Sequence, residues 1–345
     1  MRTSDFDYYL PDELIAQTPI EPRDHSRLMV VPMSGGKVSH RRFFDLPDLV
    51  REGDVLVFND SRVIPARLYG NRKESGREIE LLLLEKISER KWRALVKPGR
   101  RMTVGAEFTV MNHQGALATS GTVSGVEEAG TRIVEFSDED GLRSAGVIPL
   151  PPYIHDKLND AERYQTVYSR EEGSVAAPTA GLHFTPELLE KVRKVGAETV
   201  FVTLHVGWDT FRPIKTDDAT SHEMHSEAWE LSPESASAIN RAKAEGRRVI
   251  SVGTTAVRLL EHAALLNKSG DCVVAPGRGR ASLFIYPGFE FKAVDALITN
   301  FHLPKSTLLM MVSAFAGREL ALRVYDEAVS KRYRFYSFGD AMFFC

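Results

Sequence analysis

Apolar positions along the chain change their period twice. Short apolar runs at Leu28 to Val31 and Asp54 to Phe58 predict two strands, the second running into Asn59, Asp60, Ser61 and Arg62. Between Pro65 and Pro149 helical periodicity is absent, and brief alternating runs follow one another across Gly-rich turns: Glu78 to Leu84, Trp92 to Val96, Glu107 to Val110, Gly121 to Val126 and Arg132 to Phe136. Many short strands at close spacing predict a small antiparallel barrel or sandwich.

After Pro152 helices and strands alternate again. Thr185 is a good N-cap before Pro186, and Leu188, Leu189, Val192 and Val195 form a helical stripe that stops at Gly196. In E-T-V-F-V-T-L-H-V-G, alternation puts Val200, Val202, Leu204 and Val206 on one face of a strand and Phe201, Thr203 and His205 on the other. Helices follow from Ser232 and Pro233 to Gly246, after Gly253, from Ser306 through Phe315, and from Arg318 to Lys331; strands are expected at Arg248 to Val252, Asp295 to Asn300 and the Tyr- and Phe-rich end around Asp340. The predicted fold class is α/β: an open mixed-sheet domain made of residues 1–64 and 150–345, with a small antiparallel β-barrel domain, 65–149, inserted into it.

Ser174 to Thr185 is too apolar for a solvated loop and too rich in Gly, Ala and Pro for a regular element. It reads either as a tight structural crossover or as backbone packed against a ligand. His205 ends the following strand, and ligands of open α/β sheets sit beyond strand carboxyl ends, so His183 and His205 are expected to share a cleft. Thr254 and Thr255 offer hydroxyls and amides at a helix start, suited to a carboxylate or to simple capping. Asn59 to Arg62 reads as a side-chain-held turn if it stands alone. His222 and His225 lie three apart in H-E-M-H-S-E, which is not the zinc-protease spacing, so acid or base work is expected there rather than a metal. No nucleotide-binding Gly loop, phosphate loop or nucleophile elbow is present.

A length of 345 residues favours two domains, and 43% hydrophobic with 26% charged residues is ordinary for a globular protein. No apolar stretch is long enough to span a bilayer and the N-terminal segment lacks a secretion signal, so a cytoplasmic protein is expected. Cys272 and Cys345 lack disulfide or metal spacing. A net charge of −3 argues against indiscriminate coating of nucleic acid but permits a local basic surface. Arg72, Lys73, Lys97, Arg100 and Arg101 give the barrel such a surface, either a solvated face or a contact for RNA phosphates.

Several long motifs carry a family resemblance. V-F-N-D-S-R-V-I-P-A-R-L from Val57, S-V-A-A-P-T-A-G-L-H-F-T from Ser174, V-T-L-H-V-G from Val202, H-E-M-H-S-E from His222, V-G-T-T from Val252 with Arg258, and D-A-L-I-T-N-F-H-L-P-K-S-T-L from Asp295 together resemble the S-adenosylmethionine:tRNA ribosyltransferase-isomerases of queuosine biosynthesis. The resemblance runs from F-D-Y near the N-terminus to Y-R-F-Y-S-F-G-D-A-M at the end; one departure is Asp209, where a Gly is expected. It implies transfer of the ribosyl part of S-adenosylmethionine (AdoMet) to 7-aminomethyl-7-deazaguanine at the tRNA wobble position, giving epoxyqueuosine and releasing adenine and methionine.

On that implication AdoMet is consumed as a substrate, and neither a cofactor nor a metal is expected. The sulfonium acidifies the ribose 5′ carbon, a positioned base removes a proton, adenine is expelled, the deazaguanine amine adds, and methionine leaves as the epoxide closes. The motifs make His183, His205, His222, His225, Glu227 and His302 the catalytic candidates. Asn59, Asp60, Arg62, Thr179, Gly181, Thr254, Thr255, Arg258, Asn300 and Lys305 are the substrate-binding candidates, with Arg258 expected to help Thr254 and Thr255 hold the methionyl carboxylate. The partners implied are AdoMet and a tRNA carrying the deazaguanine, with no membrane, on a chain expected to be a monomer. Two other readings stay open: an AdoMet-dependent RNA methyltransferase, which should show a Gly-rich turn after its first strand, and a non-catalytic tRNA-binding protein.

Overall fold

The structure, a computed structural model, describes every residue except 128, 129, 157, 159, 209–215, 223, 225, 268, 269 and 271. In chain order the strands are β1 (Arg27–Val31), β2 (Ser39–Arg42), β3 (Val55–Asn59), β4 (Ser61–Val63), β5 (Arg67–Arg72), β6 (Glu78–Ser88), β7 (Lys91–Lys97), β8 (Glu107–Met111), β9 (Leu117–Val126), β10 (Thr131–Phe136), β11 (Glu171–Ser174), β12 (Glu198–Leu204), β13 (Glu227–Leu231), β14 (Val249–Val252), β15 (Gly277–Ala281), β16 (Ala296–Asn300) and β17 (Ala341–Phe344). The helices are α1 (Glu139–Ala145), α2 (Pro186–Lys194), α3 (Pro233–Ala244), α4 (Thr254–Leu266), α5 (Thr307–Ala316) and α6 (Arg318–Ser330). None of the described helices is long and apolar enough to cross a membrane.

The chain forms two compact units, one of Met1–Arg62, Pro152–Glu171 and Ala177–Cys345, the other of Val63–Pro151 and Glu172–Ala176. The first is built on a nine-stranded sheet of order β15-β13-β12-β3-β14-β16-β17-β1-β2. Its centre, β12, β3, β14 and β16, is parallel, so four strand carboxyl ends lie side by side. Antiparallel pairs flank that block, β13 against β12 and β17 against β16. The central strands are mostly apolar, as burial on both faces requires: all five positions of β3 and of β16 are buried, the polar ones, Asn59, Thr299 and Asn300, standing at the carboxyl ends. On one face Leu56, Phe58, Ile250, Val252, Ile298 and Phe343 pack with Phe43, Phe184 and the apolar stripe of α2; α3 and α4 pack against β12, β3 and β14.

The expected caps are in place. The Thr185, Ser232 and Ser306 hydroxyls each accept a backbone N–H three residues on, each at 3.1 Å. In the second unit six strands close into an antiparallel barrel in the order β10-β7-β6-β5-β8-β9, and closure leaves no free sheet edge. Gly70 makes one of its ladders possible, since a Cβ there would lie 1.9 Å from the Thr109 carbonyl oxygen.

Two buried carboxylates fasten the strand amino ends of the first unit. Asp54 accepts Arg248 Nη2 at 2.5 Å and the Arg51 amide at 2.7 Å. Glu261, fully buried on α4, accepts the amides of Lys292, Ala293 and Val294 at 2.9, 3.0 and 3.0 Å, holding the entry to β16. Glu261→Ala would leave two buried donors and one part-buried donor without their acceptor and should cost about 3 kcal/mol in urea unfolding. Glu261→Gln, which keeps an acceptor for two of the three amides, should cost clearly less.

Candidate active site at the strand carboxyl ends

The parallel ladder between β3 and β12 runs out at Asn59 opposite Val202. Beyond that point the strands are joined through the buried Asn59 side chain. Its Oδ1 accepts the Leu204 amide at 3.0 Å and the Ser61 amide at 3.2 Å; its Nδ2 donates to the Leu204 carbonyl at 2.9 Å and to Thr255 Oγ1 at 3.2 Å. The turn expected at Asn59 to Arg62 is therefore a buried junction that ties two strand ends to the start of α4. Asp60 accepts Thr203 Oγ1 at 2.7 Å and Arg170 Nη2 at 2.6 Å, while Arg62 donates to Ser169 Oγ at 2.9 Å and pairs with Glu162.

Over the ends of β14 and β16 lies a cleft lined by Thr179, Val206, Gly253, Thr254, Thr255, Thr299, Asn300, His302 and Tyr336. Gly253, at φ +92°, is the N-cap of α4 and brings no side chain to cap it, so the first amides of a 13-residue helix face the region of the Thr254 and Thr255 hydroxyls. The cavity is small, about 60 Å³, room for a carboxylate or a few waters rather than a nucleoside. Thr179 and Gly181 belong to a single 3₁₀ turn, Thr179–His183; a Cβ on Gly181 would meet the Tyr168 hydroxyl at 1.9 Å, so the close approach of Tyr168 requires glycine there.

The histidines do not share one cleft, contrary to expectation. Among the described residues His302 lines the strand-end cleft, His183 a small cavity with Arg23, Arg163 and Phe338, and His205 a groove of about 730 Å³ floored by β12, β13 and β15. Strand alternation is the reason for the last separation: Val206 points to the cleft, so His205 falls on the Phe201 and Thr203 side. His222 packs edge-on to Phe284, ring centres 5.8 Å apart. His225 and Asp209 lie outside the described residues.

Glu227 and Arg258 form a buried pair at 2.5 Å, and the other Glu227 oxygen accepts the Gly207 amide at 2.8 Å. Arg258 thus faces Glu227 and a cavity with Leu283, Phe284 and Met311 instead of the Thr254 and Thr255 hydroxyls, because a position four residues on from Thr254 is held by its carboxylate partner. Lys305 pairs with Asp7 at 2.8 Å on the surface and does not line the cleft. On the barrel, Arg72 is paired with Glu74 and Lys73 with Glu107, whereas Lys97, Arg100 and Arg101 are exposed.

Burial sets the charge of the imidazoles. His183 stacks on Phe43 at 4.8 Å and shares a 2.7 Å hydrogen bond with Ser26 Oγ; burial pulls its pKa down to about 4, against the opposing pull of the Asp340 carboxylate. Burial alone takes His302, hydrogen-bonded to Thr299 Oγ1 at 2.9 Å, to about 3. His205 is lowered by burial, with Glu171, Asp60 and Glu230 resisting. Neutral imidazoles at pH 7 are proton acceptors by form, the state a base must start from.

Three residues of this region escape sequence reasoning. Tyr153 and Tyr336 stack at 4.6 Å along the cleft wall, and Tyr153 Oη is 2.6 Å from Ser337 Oγ. The Tyr336 hydroxyl and Asn300 Oδ1 are buried without a hydrogen-bond partner among the described residues. The Y-S-F-G motif is visible in the sequence, but aromatic residues in a terminal strand read as core.

The histidine environment has a consequence for stability. Unfolded chains take up protons on these residues near the ordinary value of 6.5, whereas the folded protein keeps His183 and His302 neutral until about 4 and about 3. The unfolded state therefore binds more protons in that window, and stability falls as pH drops below 6.5, by up to about 1.4 kcal/mol per unit for each residue. Urea unfolding between pH 7 and 5 should show this slope, and His302→Asn should reduce it by up to about 1.4 kcal/mol per pH unit.

Comparison with known proteins agrees over the whole length. The family described as queuosine biosynthesis protein matches residues 3–344. The S-adenosylmethionine:tRNA ribosyltransferase-isomerases of Symbiobacterium thermophilum and Moorella thermoacetica are each 54% identical, over 99% of this chain and 99% of theirs. The crystal structure of the S-adenosylmethionine tRNA ribosyltransferase of Thermotoga maritima is 39% identical with a TM-score of 0.57, covering 99% of this chain and 100% of that one. With a full-length family match, relatives at 54% identity and a shared mixed α/β and barrel fold, the chain belongs to the queuosine-biosynthesis family of S-adenosylmethionine:tRNA ribosyltransferase-isomerases.

Proposed function

We propose that this chain transfers and isomerises the ribosyl group of AdoMet onto 7-aminomethyl-7-deazaguanine at the tRNA wobble position, forming epoxyqueuosine-tRNA and releasing adenine and methionine. AdoMet is a substrate in this reading, no cofactor or metal takes part, and the enzyme acts as a cytoplasmic monomer. The observation that supports it best is the strand-end cleft, lined by the uncapped start of α4 and by a buried neutral His302.

The methionyl carboxylate is assigned to the Thr254 and Thr255 hydroxyls and amides, a placement suited to the cleft's size and to the helix dipole. A carboxylate lodged there raises the proton affinity of His302, bringing a depressed imidazole closer to the range useful for a base. Asn300 and Tyr336 supply polar atoms that lack hydrogen-bond partners among the described residues. Lys97, Arg100 and Arg101 are assigned to tRNA phosphates, since a wobble base can be read only when extruded and the backbone must then supply much of the affinity.

The test is product analysis with AdoMet and tRNA bearing the deazaguanine. Adenine and methionine should appear in equal amounts, one of each per modified tRNA. S-Adenosylhomocysteine would instead assign the chain to methyl transfer, and tRNA binding without AdoMet turnover would make it a binding protein.

A further inference from the structure

Arg132 is an arginine in a core position. Along β10 the inward, buried residues are Arg132, Val134 and Phe136, so a guanidinium occupies the barrel end where an apolar side chain is expected. Among the described residues its hydrogen-bond partners are carbonyls and not carboxylates. Its nitrogens go to three backbone carbonyls: Nε to Met102 at 2.6 Å, Nη2 to Gly99 at 2.7 Å and Nη1 to Gly130 at 2.5 Å. A buried cation without a counter-ion is costly, and a planar fork matched to fixed acceptors is the arrangement that makes it tolerable.

Two of those carbonyls bracket the 3₁₀ turn Gly99–Arg101, which carries Arg100 and Arg101 and is separated from Lys97, the end of β7, by Pro98 alone. Gly99 also accepts the Met102 amide at 3.1 Å, and Met102 is fully buried, so the turn is closed on itself and fastened from below. Glu80, opposite Lys97 in the ladder, is engaged by Arg67 at 3.1 Å, which leaves Lys97 without a carboxylate among the described residues.

We propose that Arg132 is a positioning residue for tRNA: it holds the turn that presents Lys97, Arg100 and Arg101 as a pre-formed hook for RNA phosphates. This rests on the assignment of those three cations to tRNA. A turn fixed before binding pays less ordering entropy when phosphates arrive, so the gain is in tRNA affinity and not in the chemical step. The buried guanidinium itself does not reach the RNA.

The experiment compares wild type, R132M, R132K and the triple variant Lys97→Ala, Arg100→Ala, Arg101→Ala by steady-state kinetics across a salt series. R132M should raise KM for tRNA roughly tenfold and lower the slope of log KM against log salt by up to about 0.9 for each phosphate that the turn no longer engages. It should leave kcat and KM for AdoMet within about twofold, and should add nothing when placed in the triple variant. R132K keeps the charge but can satisfy the carbonyls only in part, so an intermediate slope shows that geometry and not charge is at stake. A wild-type slope in R132M, with a reduced slope in the triple variant, overturns the role of Arg132. A wild-type slope in the triple variant itself removes the barrel from tRNA binding altogether. If R132M does not fold, R132K decides alone: a reduced slope supports the role and a wild-type slope overturns it.

Discussion

The first unit depends on how two parallel strands part company. Where the β3 and β12 ladder ends, the strands would leave buried amides and carbonyls without partners, a penalty of about 1–3 kcal/mol for each. The Asn59 amide meets that demand with four hydrogen bonds, two to Leu204, one to Ser61 and one to Thr255. A single side chain thereby lets the sheet open at its carboxyl edge while holding the start of α4 in place. No other residue type of that length supplies both donors and acceptors without charge.

From that junction the chemistry of the region follows. The parallel block brings four strand ends together, and α4 begins beside them with a glycine N-cap, leaving amide dipoles directed into a small cleft. Burial keeps His302 and His183 neutral. Asn300 lines the cleft together with His302. Glu227 and Arg258 neutralise each other and bind the Gly207 amide, which fixes the exit of β12 against α4.

Much of this was legible in the sequence because it is local. The caps at Thr185, Ser232 and Ser306, the alternation from Val200 to Val206, and the change to short strands after Pro65 depend on neighbours in the chain, and the structure follows them. What could not be read depends on neighbours in space. Alternation told which face His205 occupies but not that His183 and His302 lie in other cavities. Arg258 reads as a free cation until Glu227 is seen beside it. Arg132 shares a period with Val134 and Phe136, and its charge argues against a core position that three carbonyls in fact make possible.

The proposed placement of AdoMet has its carboxylate end at the start of α4, in the strand-end cleft and not in the larger groove beside His205. Amide hydrogen exchange with and without AdoMet tests this directly. Saturating AdoMet should slow exchange at Thr254, Thr255 and Ala256, whose amides stand at the uncapped helix start, and leave Thr203, Glu230 and Arg278 unchanged. Protection confined to the groove strands, with the first turn of α4 exchanging as before, would contradict the account.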